Sequence, residues 1–273
     1  MEYKMTARGM EIETGSCFDL KNTFECGQCF RWNENADGSF SGIVGREYAR
    51  IYRENDTVII ENTNESLWKD YFDLGTDYDE IRREIVRQDS RLQCAFESID
   101  GIRILRQDAW EALCSFIISQ NNNIPRIKGI VERLCENFGD RIDDGYTFPS
   151  AERISRLTVE ELAPLRSGFR AKYILDAARK VASGEVDLEK MQTAPIEDCR
   201  KELMTITGVG AKVAECTLLY GLHRQEAFPI DVWMKKALST VFSGVSPETL
   251  GRYAGIAQQY IFHYIRLHPA LIR

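Results

Sequence analysis

The sequence has little histidine and proline, no long hydrophobic run and no excess of positive charge. It contains 3 histidines and 7 prolines in 273 residues, and its net charge is −7. No run of roughly 18 uncharged apolar residues occurs, which excludes a membrane-spanning helix. Because 44% of the residues are hydrophobic, the chain can bury a sizeable core, and its length fits one to three domains.

The cysteines lack the context that disulfides require. A disulfide framework is typical of small secreted domains, and residues 1–14 carry charges and no apolar signal segment. We therefore expect free thiols in an intracellular protein, in the cytoplasm or nucleoid if the source is prokaryotic. Cys26 and Cys29 have metal-like spacing, but no second pair or neighbouring histidine accompanies them, so no zinc site is expected. The eight cysteines are at positions 17, 26, 29, 94, 114, 135, 199 and 216.

The negative charge is concentrated in the first third of the chain. Residues 1–100 hold 12 Lys and Arg against 21 Asp and Glu, whereas the rest holds 23 against 21. Within residues 166–180, five basic residues accompany the single acid Asp176. This stretch fits either a phosphate-binding face or an ordinary solvated helix face. The five basic residues are Arg166, Arg170, Lys172, Arg179 and Lys180.

The hydrophobic period changes along the chain. From about residue 18 to 62 it is two, with turn signals at 37–38 and 54–56, which predicts an antiparallel sheet. From Thr76 onward helix start signals recur, and residues 110–120 are apolar on nearly all sides, as expected for a buried central helix. We predict an α+β protein with a β-rich domain over 1–100 and a mostly α-helical body over 101–273.

The segment 203–216, LMTITGVGAKVAEC, lies between two helix-like stretches. Gly208 and Gly210 permit a tight hairpin whose backbone approaches a ligand closely. Amides in the first turn of the following helix then form an anion site suited to a phosphodiester. A Gly-x-Gly pair alone is most often a simple turn, so the context must decide.

Two residues near this hairpin are candidates for chemistry. Lys212 occupies the first turn of the second helix, where the macrodipole disfavours a cation, so stability does not explain its placement. An amine there can act as a nucleophile, and Cys216 lies on the same helix face. Asp231 precedes a helical run and is expected to cap it. The alternative is a solvated lysine above a core cysteine.

The order of hairpin, lysine and aspartate resembles the helix-hairpin-helix DNA glycosylase superfamily. No cysteine follows Cys216, which disfavours the iron–sulfur branch, and Lys212 speaks against the alkyl-purine branch. Nearly the whole chain resembles 8-oxoguanine DNA glycosylase/lyases of the Ogg type. The matching segments are GQCFRW at 27–32, SQNNNIPRI at 119–127, GFRAKY at 168–173 and YAGIAQQYIF at 253–262.

The resemblance implies a TBP-like antiparallel N-terminal sheet, a helix-hairpin-helix at about 195–220 and double-stranded DNA containing 8-oxoguanine as the partner of a monomer. It also implies that Lys212 attacks C1′ to form a Schiff base, with Asp231 stabilising positive charge on the sugar. Asn121 would fill the vacated stack, and Arg126 and Arg170 would read the orphaned cytosine.

For the extruded base, the resemblance places Phe262 and Cys216 on its two faces and Gln258 at its Watson–Crick edge. Gly27 would offer a carbonyl that accepts from the N7 proton of 8-oxoguanine and repels the lone pair of guanine. On residue type alone, Phe262 fits a helical core position, and Gly27 fits a turn or bulge.

Two departures from the family pattern predict relaxed selection of the opposite base. Phe169 stands where tyrosine is usual, and Trp233 stands where a histidine is usual. Hairpin carbonyls near Met204, Ile206 and Val209 form a candidate cation site, whereas no side-chain metal site or cofactor is expected. The alternatives are an alkyl-purine glycosylase and a non-catalytic DNA-binding protein.

Overall fold

The computed structural model describes residues 1–14, 18–99 and 101–272, which form an α+β structure. Six strands build an antiparallel sheet in the order β1-β2-β6-β5-β4-β3, and β7 and β8 form a separate hairpin. The strands are β1 (Tyr3–Thr6), β2 (Gly9–Glu13), β3 (Trp32–Glu34), β4 (Phe40–Val44), β5 (Glu47–Glu54), β6 (Thr57–Ile60), β7 (Arg141–Ile142) and β8 (Gly145–Tyr146).

Helices make up most of the remaining described chain. They are α1 (Leu20–Glu25), α2 (Glu65–Tyr71), α3 (Tyr78–Gln88), α4 (Gln93–Ser98), α5 (Ala109–Ser119), α6 (Ile124–Phe138), α7 (Ala151–Ser155), α8 (Arg170–Ala182), α9 (Ile196–Leu203), α10 (Ala211–Cys216), α11 (Val232–Ser239), α12 (Pro247–Leu250) and α13 (Ala254–Leu267). A π-helical turn, Thr217–Gly221, continues α10. In the part of the chain that the structure describes, no helix has the length and apolarity to cross a bilayer.

Buried apolar side chains form two cores. One lies between the six-stranded sheet and α1 and α2, where Phe24 stacks on Trp32 at 4.4 Å between ring centroids. The other surrounds α5 and includes side chains of α3, α4 and α13. Most of the first core precedes residue 75 and most of the second follows it, but Cys26 and Phe30 belong to the second core and Leu105 to the first. The domain boundary near residue 100 stays a prediction.

The α+β class and the mostly helical second part are confirmed, and several local details differ from the sequence expectations. The sheet begins at Tyr3 because β1 pairs with β2 and β2 pairs with β6, and α1 interrupts the region of period two. The signal at Thr76 is displaced by one residue, since Asp77 caps α3. Thr158 and Glu161, which have the spacing of a helix start signal, form reciprocal hydrogen bonds, but these close a turn that leads to a 3-10 helix.

The cysteines within the described residues are free, as expected, and all of them except Cys94 are buried. Cys17 lies outside the described residues. Within residues 1–14, 18–99 and 101–272, no three His, Cys, Asp or Glu side chains form a metal-binding group.

Candidate active site

The hairpin between α9 and α10 is held in place by α8. Gly208 has a φ of +80°, and a Cβ there would lie 2.3 Å from Cδ2 of Tyr173. Asp176 accepts a hydrogen bond from the amide of Thr207 at 2.7 Å, and Lys180 donates to the carbonyl of Thr205 at 2.6 Å. Glycine at position 208 is therefore required both by the backbone conformation and by the aromatic ring beneath it.

Gly210 is extended, with a φ of −104°, and precedes the first turn of α10. A Cβ at this position would meet no atom within 4 Å, so its role differs from that of Gly208. Met204 at the hairpin is 49% exposed, whereas Ile206 and Val209 point into the core. The carbonyl of Ile206 accepts the amide of Val209 at 3.0 Å. The cation site stays a prediction.

Lys212 is half-buried, and its ammonium lies against the C-terminal end of α5. Nζ is 3.3 Å from Oγ of Ser119 and 5.0 Å from the centroid of the Phe116 ring. Ser119 gives its own hydroxyl proton to the carbonyl of Phe116 at 2.8 Å. The hydroxyl therefore faces the ammonium with lone pairs, and the negative end of α5 adds to the attraction.

Cys216 lies beside this amine, and Asp231 is near enough to Cys216 to affect its pKa. Burial raises the pKa of the Cys216 thiol to about 11, the charge of Lys212 lowers it, and the charge of Asp231 raises it. One thiol thus senses both charges, which brings the predicted nucleophile and carboxylate to the same region. The thiol stays protonated at neutral pH and offers an uncharged, polarizable surface.

Asp231 caps α11 by accepting the amide of Met234 at 2.8 Å, as its sequence position predicted. The residues around it are apolar and face solvent: Ile230 is 38% exposed, Val232 69% and Trp233 40%. Exposed apolar side chains beside a carboxylate are costly in water unless they meet a partner surface. Sequence analysis identified Trp233 but missed Ile230 and Val232.

Gly27 lies directly opposite Phe262. Its φ is +87°, and a Cβ on it would stand 3.5 Å from Cε1 of Phe262 and 3.7 Å from Nη1 of Arg266. The Arg266 guanidinium in turn lies 5.5 Å from the centroid of the Phe262 ring. The chain thus brings residue 27 of its first part against α13 of its last part, as the predicted base pocket requires.

Gln258 is buried on α13, with Oε1 3.5 Å from the Tyr220 hydroxyl. The same hydroxyl donates to Oε1 of the neighbouring Gln259. Burial raises the pKa of Tyr220 well above its usual range, and the negative charge of Asp231 raises it further. Tyr220 therefore lies between the Gly27 turn and the lysine–aspartate region, and it remains a hydrogen-bond donor.

Four predicted DNA contacts gather where α5, α6 and α8 meet. Asn121 has a φ of +52° and is exposed, as is Arg126. Phe169 is 49% exposed, with the Arg170 guanidinium 4.4 Å from its ring centroid. Burial and the charge of Arg126 lower the pKa of Arg170, so the two guanidinium groups are neighbours.

Arg170 is the one member of this group that is already bound within the protein. Its guanidinium donates twice to the carbonyl of Gln120, once at 2.8 Å, and once to that of Ser167 at 3.2 Å. These bonds use three of its five N–H groups and hold the loop that carries Asn121. Two residues of the predicted basic face are also hydrogen-bonded within the protein. Lys180 donates to the carbonyl of Thr205, and Arg179 donates to the carbonyls of Ser155 and Leu157.

Two family models account for most of the chain. The model of the 8-oxoguanine DNA glycosylase N-terminal domain matches residues 11–113, and that of the HhH-GPD superfamily of base excision DNA repair proteins matches residues 114–249. The chain belongs to the 8-oxoguanine DNA glycosylase family.

Members of this family resemble the chain in sequence and in fold. An N-glycosylase/DNA lyase of Saccharomyces cerevisiae is 34% identical over 80% of this chain and 66% of its own length. A solved Clostridium acetobutylicum 8-oxoguanine glycosylase/lyase, bound to DNA with cytosine opposite 8-oxoguanine, is 34% identical with a TM-score of 0.92. That match covers 98% of this chain and 99% of the other. The chain spans just under two thirds of the yeast relative.

A second solved structure, that of MBOgg1 with a low-affinity DNA ligand, is 43% identical with a TM-score of 0.90, covering 98% of this chain and all of the other. The 3-methyladenine DNA glycosylase of Archaeoglobus fulgidus shares the fold, with a TM-score of 0.73 at 20% identity. The predicted family and fold are therefore confirmed.

Sequence analysis of this family member missed the residues that hold the predicted site. Phe116 and Ser119 contact the Lys212 ammonium, yet in the sequence they are part of an apolar helix. Gln259 was also missed, and the structure shows it to be fully buried on α13. A buried amide needs partners, and that need points to a tertiary contact.

Proposed function

We propose that this protein removes 8-oxoguanine from duplex DNA and then cleaves the strand at the abasic sugar. The observation that carries the proposal is the environment of Lys212. Its half-buried amine lies 3.3 Å from Oγ of Ser119, in a region that also holds Cys216 and Asp231. A cation in the first turn of α10 is disfavoured by the helix macrodipole, so stability of that helix does not explain this lysine. The protein is proposed to act as a monomer on intracellular DNA.

In the proposed reaction, the neutral amine of Lys212 attacks C1′ of the extruded nucleotide. The bond from C1′ to N9 breaks, and the base leaves with the bonding electron pair and takes up a proton. The resulting amine adduct opens the sugar ring and becomes a Schiff base. Loss of a proton from C2′ then expels the 3′ phosphate by β-elimination, so that one covalent intermediate serves two bond cleavages.

Asp231 is proposed to stabilise the positive charge that develops on the sugar and to help move the proton of the amine. Its carboxylate is fixed by the hydrogen bond from Met234 at 2.8 Å, so it needs no reorganisation when the charge appears. The amine itself must leave the lone pairs of Ser119 and approach the sugar. A hydroxyl contact at 3.3 Å is weak enough to be exchanged for that purpose.

The base is proposed to enter between Phe262 and Cys216. The carbonyl of Gly27 would accept the N7 proton of 8-oxoguanine, and Gln258 would read the Watson–Crick edge. The turn at Gly27 supports this assignment because Phe262 is already adjacent to it, at 3.5 Å from a Cβ position. Guanine presents a lone pair at N7 and would be repelled by the same carbonyl.

Asn121 is proposed to fill the space that the extruded nucleotide leaves in the stack, with the ring of Phe169 as a wedge beside the orphaned cytosine. Arg126 reads the orphaned cytosine, and Arg170 shares that role through the N–H groups it does not use on Gln120 and Ser167. The exposed Trp233 and the hairpin amides at Gly208 and Gly210 hold phosphates. Because Phe169 lacks a hydroxyl, selection for cytosine is relaxed.

A lesion panel tests the proposal. Duplexes containing 8-oxoguanine, an alkylated adenine or an oxidised pyrimidine are incubated with the protein, and strand cleavage is scored before and after alkali. We expect cleavage without alkali on 8-oxoguanine alone. Release of alkyladenine without spontaneous cleavage would indicate an alkyl-purine glycosylase, and binding without base release would indicate a non-catalytic DNA-binding protein.

A further inference from the structure

Gln259 is fully buried and connects three parts of the molecule. Its Nε2 donates to the carbonyl of Cys26 at 3.0 Å, and its Oε1 accepts from the hydroxyl of Tyr220. Because a backbone carbonyl can only accept a hydrogen bond, the amide nitrogen of Gln259 must face Cys26, and the amide oxygen then accepts from Tyr220. The Cys26 carbonyl belongs to the peptide that leads into Gly27.

The other side of Gly27 is held just as firmly. Gln107 donates to the carbonyl of Gln28 at 2.7 Å. The Gln28 side chain is buried and donates to Thr23 at 2.9 Å and to Arg103 at 2.8 Å, while accepting from the amide of Leu105 at 2.9 Å. Among the described residues, the carbonyls before and after residue 27 are therefore both bonded.

Glycine at position 27 makes this restraint necessary. With a φ of +87° and no Cβ, its peptide units rotate more freely than those of any other residue. A carbonyl that reads one proton must point in a defined direction before the base arrives. The neighbouring carbonyls, bonded at 3.0 Å and 2.7 Å, supply that direction.

Tyr220 extends the connection towards the lysine. Its ring stacks on Phe116 with 5.2 Å between centroids, and the Lys212 ammonium lies 5.0 Å from the Phe116 centroid. Tyr220 belongs to the π-helical turn that follows α10, the helix of Lys212. Tyr220 thus has a contact on each side. Its hydroxyl bonds Gln259, which contacts the turn proposed to read the base, and its ring stacks on Phe116, which faces the amine proposed to attack the sugar.

We propose that Gln259, hydrogen-bonded to Tyr220, is a positioning residue that fixes the direction of the Gly27 carbonyl and thereby sets the preference for 8-oxoguanine over guanine. This inference rests on the proposed function, since it assigns a support to the carbonyl that reads N7. Gln259 itself touches neither the base nor the sugar.

The test separates base reading from chemistry at the sugar. Gln259→Met keeps the length and burial of the side chain but leaves the Cys26 carbonyl without its donor. We expect single-turnover excision of 8-oxoguanine to fall about 10-fold, because an unsatisfied buried acceptor frees the turn. Strand cleavage at a preformed abasic site, which needs Lys212 but no base reading, should be unchanged.

Binding gives a second readout. In a Lys212→Gln background, which removes the nucleophile, adding Gln259→Met should lower the ratio of Kd values for guanine and 8-oxoguanine duplexes by about 10-fold. Tyr220→Phe should shift both readouts in the same direction by less, since the ring and its stack remain. Gln192→Met, at an exposed glutamine, serves as the matched control and should change neither.

An excision rate and a Kd ratio within about two-fold of the parent in both Gln259→Met and Tyr220→Phe would overturn the proposal. So would an equal loss of excision and abasic-site cleavage, which would indicate general damage to the fold. If Gln259→Met does not fold, Tyr220→Phe decides alone. Failure of the proposed function looks different, because the unsubstituted protein would then excise no 8-oxoguanine, and that result would overturn both.

Discussion

The proposed reaction pocket and the rim around it, where DNA is proposed to bind, are built in opposite ways. In the pocket, Gln258 and Cys216 are almost completely buried and Lys212 has a protein partner at 3.3 Å. On the rim, Phe169, Met204 and Trp233 expose two fifths to one half of their surface. The pocket is thus assembled by folding, whereas the rim is left for another molecule to cover.

This difference predicts which step of the reaction a substitution in each region will affect. Pocket residues act through fixed direction and local charge, so a change there should affect the chemical step. Rim residues are proposed to make contacts that form only with DNA, so a change there should affect binding and the choice of opposite base. The following substitutions test that division.

The largest effect is expected for Lys212→Gln. Removing the nucleophile should lower excision of 8-oxoguanine by about 1,000-fold or more, measured in single turnover. Binding of the duplex should change far less, because the rim is intact. Lys201→Gln, at an exposed lysine of α9, is the matched control. Excision retained by Lys212→Gln would place the nucleophile elsewhere.

Asp231→Asn should reduce the excision rate on the order of 100-fold, since the developing charge on the sugar loses its carboxylate. Asparagine caps helices as well as aspartate does, so the thermal midpoint of unfolding should remain nearly constant. Measuring both quantities separates the two functions of this residue. A variant that loses stability and keeps its rate would reduce Asp231 to a helix cap.

The two hairpin glycines provide a matched pair. Gly208→Ala forces a φ of +80° on alanine and drives a Cβ to 2.3 Å from Tyr173, so the free energy of unfolding should fall by about 3 kcal/mol. Gly210→Ala meets no atom within 4 Å and should cost less than about 1 kcal/mol. Denaturant titration of both variants measures the difference, and equal losses would refute this account of Gly208.

Arg126→Ala tests the rim. Arg126 is exposed and is proposed to contact the orphaned base, so its loss should lower the preference for cytosine over the other three partners by about 10-fold. The rate at a preformed abasic site should be unaffected. Single-turnover rates opposite all four bases measure this change, and an unaltered preference would leave the reading of cytosine to Arg170.

The smallest effect is expected for the pH dependence of stability at His263, which follows Phe262 on α13. Burial and the charge of Arg266 lower the pKa of His263 from 6.5 to about 4. As the pH falls between these values, the unfolded chain binds a proton that the folded chain excludes, so stability decreases. His263→Gln should show a shallower loss in denaturant titrations from pH 6.5 to 4.5. The exposed His268→Gln should match the parent, and equal slopes in all three proteins would contradict the assignment.

The same comparison explains which features could be predicted from the sequence and which could not. The buried helix at 110–120 and the hairpin around Gly208 were predictable because period and glycine spacing are local properties. The contact of Gly27 with Phe262 joins residues more than two hundred positions apart, so only the family resemblance pointed to it. The contact of Lys212 with Ser119 and the hydrogen bond from Gln259 to Cys26 were missed, since both depend on how the helices pack.

The central claim is that the amine of Lys212 becomes bonded to the sugar, and borohydride reduction followed by peptide mapping tests it most directly. The protein is incubated with an 8-oxoguanine duplex, the adduct is reduced and digested, and the modified peptide is identified by mass spectrometry. The account predicts a deoxyribose-derived mass on the peptide that contains Lys212. A trapped adduct on another residue, or strand cleavage with no adduct at all, would contradict it.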